Sequence, residues 1–92
     1  MWNPAAETTE LLQALIRNAC VNEGTEDSGQ EIRNVDTLRS HLGAAGFDTE
    51  TYEAAPGRVS LVARMEGAEP GAPRLCLSGP TDVVPGTPAG WS

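Results

Sequence analysis

Residues 7–19 place Leu11, Leu12, Leu15, Ile16 and Ala19 at a 3.6-residue period, with Glu10, Gln13, Arg17 and Asn18 on the opposite side. That spacing predicts an amphipathic helix. Glu7 and Glu10 lie in its opening turn, where the helix dipole favours negative charge. Val21 to Asp27 is polar, is interrupted by Gly24 and reads as a loop. Ser28-Gly29-Gln30-Glu31 then fits a capping box, in which the serine oxygen caps the third amide and the glutamate reaches back. Ile32, Val35, Leu38, Leu42 and Ala45 continue as the apolar stripe of a second helix. Gly46-Phe47 is its expected stop, a left-handed glycine followed by an apolar residue that closes over the last turn.

After Phe47 the period changes to two. Asp48 to Glu53 alternates weakly, as a short edge strand would, and Pro56-Gly57 signals a turn. Val59, Leu61, Ala63 and Met65 alternate with Ser60, Val62, Arg64 and Glu66, predicting a half-buried strand. Residues 67–73 contain too many breakers to be anything but a loop. Leu75-Cys76-Leu77 reads as a third strand, short and buried on both faces. The expectation is an α/β unit with two helices on one face of a three-stranded mixed sheet. The opposite face has no cover, so the chain is expected to be incomplete or to need a partner.

Leu, Ile, Val and Phe supply seventeen of the 92 residues. That share sits near the lower limit for a stable core in a charged chain. Thirteen acidic residues face six arginines and no lysine, for a net charge of −7. Direct nucleic-acid binding is disfavoured, since no basic patch can neutralise phosphates. No apolar run approaches the roughly 20 residues that a membrane helix needs, and Met1-Trp2-Asn3-Pro4 lacks a secretory layout. Cys20 and Cys76 both fall in apolar runs and read as reduced, buried thiols. Neither has a Cys-x-x-Cys partner or a basic neighbour to activate it. A cytoplasmic location is expected.

One stretch carries candidate chemistry: Leu75-Cys76-Leu77-Ser78-Gly79-Pro80-Thr81-Asp82-Val83-Val84-Pro85. An apolar strand that ends in a polar loop is where α/β enzymes place reactive groups. By composition alone, Asp82 reads as the cap of a turn or a short helix. The stretch resembles the first metal-binding signature of the zinc-dependent amidohydrolases and exopeptidases. That family includes acetylornithine deacetylase, succinyl-diaminopimelate desuccinylase, aminoacylase and glutamate carboxypeptidase. Its pattern is an apolar strand, then Gly-His-x-Asp-x-Val-Pro, with a Gly-Trp following. Gly79, Asp82, Val84, Pro85 and Gly90-Trp91 match in step. Upstream, Leu11 to Asn22, Gly46-Phe47 and Arg58 to Gly67 resemble the family's first helix with its Val-Asn loop, its helix end and its Leu-Val-Ala-Arg strand.

The resemblance implies the N-terminal part of a three-layer αβα metallopeptidase domain. Residues 1–92 would be a partial catalytic domain, with Asp82 as the catalytic residue beside the first metal in a complete protein. It also implies zinc as cofactor, an N-acyl amino acid or small peptide as substrate, and room for a homodimer built through a lid domain. Pro80 stands where the family carries its first histidine ligand, and proline has no side-chain lone pair to give a metal. The bridging Asp, the Glu-Glu pair with its general base, the later ligands and the lid have no counterparts in these 92 residues. The chain is therefore expected to bind no metal and to be inactive by itself. Its only histidine, His41, reads as a solvated residue of the second helix. The alternative is a small acidic protein-interaction module that kept elements of the fold and lost the chemistry.

Overall fold

A computed structural model describes residues 1–90. Helix α1 spans Pro4–Arg17, helix α2 Ile32–Ala44, strand β1 Asp48–Ala55 and strand β2 Arg58–Arg64, with a 3₁₀ turn at Pro88–Gly90. The first helix starts three residues earlier than its apolar stripe suggests. Asn3 accepts a hydrogen bond from the Ala6 amide at 3.1 Å, and Pro4 takes the first helical position, where its missing N–H costs nothing. The helix ends at Arg17, and Ala19 is left-handed (φ 51°) rather than part of the stripe.

The capping box at Ser28 does not form. The Ser28 hydroxyl instead accepts from the Glu23 amide at 2.9 Å and donates to the Thr25 carbonyl at 2.9 Å, knitting the loop. Glu31 occupies the N-cap position without a capping side-chain bond, because its carboxylate is held by Arg58. The helix end behaves as expected: Gly46 (φ 94°) allows the Phe47 amide to donate back to the Leu42 carbonyl at 3.1 Å.

β1 and β2 form an antiparallel hairpin, with Thr51 opposite Leu61 and Glu53 opposite Val59. Gly57 closes the turn at φ 75°. A side chain there would also collide with the Gln30 amide, which donates to the Pro56 carbonyl at 3.0 Å. The Ile32 amide donates to the Gly57 carbonyl at 3.1 Å, so the hairpin tip is tied to the start of α2. The outer face of the hairpin is polar, with Arg64 paired to Glu50 at 3.1 Å.

The expected three-stranded mixed sheet, and the three-layer αβα domain it belonged to, are not there. The sheet has two antiparallel strands. Residues 75–77 form no ladder, and Leu75 and Leu77 are 85% and 87% exposed. Cys76 is exposed too, against expectation, while Cys20 is buried. An apolar triplet becomes a strand only when a neighbouring edge pairs with its backbone; here an open groove separates it from β2. The tail is fixed further on, where Val83 makes a one-residue parallel bridge to Val21. Nor do two helices cover one sheet face: α2 packs on the hairpin, and α1 touches only α2.

Among the described residues the buried apolar side chains are Cys20, Val35 and Val59. The accessible surface is 7481 Å², against about 5,100 Å² for a compact monomer of this mass. The radius of gyration is 15.6 Å, where about 12 Å is usual for this length. Heating the isolated chain should therefore give a broad, weakly cooperative loss of far-UV circular dichroism. A sharp calorimetric peak from a monomer would contradict the uncovered surface. Val35→Ala should cost about 2 kcal/mol, enough to erase most of the helix-on-hairpin amide protection.

Candidate functional site

The groove has a volume of about 600 Å³ and runs between α2 and β2 on one side and residues 77–82 on the other. Leu38 and Leu42 of α2 and Val59 and Leu61 of β2 give it an apolar wall; Glu31, Arg58 and Asp82 give it charge. Both apolar pairs come from the stripes legible in the sequence.

Two of these charged residues form a bidentate ion pair. Arg58 Nε lies 2.7 Å from Glu31 Oε2, and Arg58 Nη2 lies 2.7 Å from Oε1. The same guanidinium donates through Nη1 to the Thr25 carbonyl at 3.3 Å, joining β2, the start of α2 and the connecting loop. The Arg58 hydrogen bonds hold the Glu31 carboxyl below its usual range, against the opposing effect of burial. Arg58 is correspondingly raised by its bonds to Glu31.

Asp82 lines the same groove, near enough for its charge to act on both Glu31 and Arg58. Two chain segments sixty residues apart meet there. The Val83 amide donates to the Cys20 carbonyl at 2.9 Å, and the Asn22 amide donates to the Val83 carbonyl at 2.8 Å. The Asn22 side-chain amide donates to Asp82 Oδ2 at 2.8 Å. Asn34 of α2, only 3% exposed, donates to the Thr81 carbonyl at 2.6 Å and accepts from the Asn18 side chain at 2.9 Å. A buried amide such as that of Asn34 is satisfied or costly, and here it is satisfied.

Asp82, singled out from the sequence, thus lines the groove, and Pro80 lies two residues away on the same wall. His41 does not line it. Half-buried rather than solvated, it pairs with Glu7 of α1 at 3.2 Å. The donors do not suit a metal: among the described residues no three His, Cys, Asp or Glu side chains converge, Pro80 offers no lone pair, and one Asp82 oxygen is already bonded to Asn22. Sequence reasoning reached Asn22 only as the end of a family-like loop, and missed Asn34 and the Glu31–Arg58 pair. Asn34 did carry a signal, a polar residue beside Val35 on the inward side of a helix. The ion pair carried none, since its partners are 27 positions apart and Glu31 looked committed to a cap.

Comparison with models of protein families, with curated proteins and with solved structures finds no match for this chain. No helix among the described residues is long and apolar enough to cross a membrane.

The ion pair makes a sign-definite prediction. Because the Glu31 carboxyl is lowered in the folded chain, the stability it contributes is present above its ordinary value near 4.5. It is lost as the pH falls through the lowered one. Acid titration followed by amide exchange should show the loop at residues 25–31 opening in that range, and Glu31→Gln should remove the dependence. Arg58→Ala leaves the Glu31 carboxylate unpaired and should destabilise the chain more than the Glu31→Gln, Arg58→Met double variant does, as a chemical-denaturation midpoint would show.

Proposed function

We propose that this chain corresponds to the N-terminal portion of a metal-dependent hydrolase of amide bonds in N-acyl amino acids or small peptides, that it is cytoplasmic, and that it is inactive as this chain. The observation that carries the reading is the meeting of two stretches on which the family resemblance rests. Val21-Asn22 and Thr81-Asp82-Val83 are side by side, with Thr81 and Asp82 lining the groove. Chance likeness at separate points of a sequence gives no reason for the points to converge in space. Inactivity follows from chemistry: hydrolysis in this family needs a metal-activated water and a general base. Pro80 and the donor set around Asp82 supply neither. In a complete protein Asp82 would stand beside the first metal.

A second reading, a small acidic module that binds another protein, is favoured by Leu75, Leu77 and Val84, which are exposed beside the groove in a chain of net charge −7. Reading the coding DNA beyond codon 92 separates the two. The hydrolase reading expects the frame to continue into a bridging Asp, a Glu-Glu pair and a late His, and a stop directly after Ser92 overturns it in favour of the module. Pro80→His in the 92-residue chain, assayed with zinc and N-acyl amino acids, should give no hydrolysis. Turnover by that variant would refute the claim that these residues are insufficient.

A further inference from the structure

The donor set around Asp82 does not fit a metal site in this chain, since no second and third ligand converge with it among the described residues. We infer that the Asp82 carboxylate is instead a strut, which locks residues 81–83 onto the Cys20–Asn22 loop through Asn22. The inference rests on the bonds around Asp82 and not on the family reading, and it holds whether or not the chain derives from a hydrolase. Asp82 Oδ2 accepts from Asn22 Nδ2 at 2.8 Å. Asn22 Oδ1 in turn accepts from the Gly24 amide at 2.8 Å, so the amide side chain is held at both ends and cannot swing away from the carboxylate. The two backbone bonds of Val83 flank this contact. With Oδ2 engaged, Asp82 has Oδ1 left to offer a cation, and the proline in place of the neighbouring ligand supplies no second donor.

Amide hydrogen exchange on the full 92-residue chain tests this, with Asn22 and Val83 as reporters and the Thr51 and Leu61 amides as internal controls for the hairpin. Asp82→Ala should speed exchange at Asn22 and Val83 by about tenfold or more and leave the hairpin unchanged. Asp82→Asn, which keeps an acceptor oxygen, should stay within a few-fold of the parent. Zinc alone, titrated onto the parent chain, should leave every amide unchanged. Should Asp82→Ala unfold the hairpin as well, Asn22→Ala removes the donor while sparing the carboxylate and should give the same local acceleration. Unchanged exchange in both alanine variants, or a saturable zinc-induced slowing at Asn22 and Val83, overturns the strut.

Discussion

The bidentate contact between Arg58 and Glu31 is the point through which the described fold is held together. From the first residue of the hairpin's second strand, one guanidinium reaches the cap of α2 and the carbonyls of the connecting loop. In a larger domain such a contact would be a detail beside a wide apolar core. Here Cys20, Val35 and Val59 are the buried apolar side chains among the described residues, so directional polar contacts carry an unusual share of the specificity. A pair of this kind is sensitive to the loss of one partner and tolerant of the loss of both, which makes the junction fragile to single substitutions.

The same logic extends to the tail. Asn18, Asn34, Thr81, Asn22 and Asp82 form a chain of amide and carbonyl contacts from the end of α1 through α2 to the groove. Polar networks fix position more sharply than apolar contacts do, because a hydrogen bond weakens steeply with angle. Residues 81–83 are accordingly anchored while Leu75 and Leu77, five or so residues upstream, touch little. The tail is held at its polar end and free at its apolar one, the reverse of what its sequence suggests.

What was legible in the sequence follows this division. Elements made by local rules could be read: both helices, the Gly46 stop, the Pro56-Gly57 turn and the alternation that becomes β2. Even the true start of α1 was written in Asn3-Pro4, although its apolar stripe drew the boundary later. What failed was whatever depended on distant partners. Ser28 and Glu31 satisfied a capping pattern, yet each found a better bond elsewhere, to the loop and to Arg58. Leu75-Cys76-Leu77 had the composition of a buried strand, but composition supplies no edge to pair with. Of the candidate site, Asp82 and Pro80 were visible as residue types. The amides that hold Asp82 were not, since asparagines in loops and helices carry no period.

The groove is the consequence of that missing edge. β2 pairs on one side only, and the apolar triplet on the far wall runs without a ladder. Both therefore leave backbone donors and acceptors, and neighbouring leucines, facing open space. Leucine side chains as exposed as Leu75 and Leu77 each forgo roughly 1.5–3 kcal/mol of available burial, a sum comparable with a large part of a small domain's total stability. Polar anchoring at Asp82 and Asn34 can hold the wall in position but cannot recover that term, because hydrogen bonds replace bonds to water and yield little net gain. The contacts that define the groove and the energy that would stabilise it thus come from different sources, and only the first is supplied by the described residues themselves.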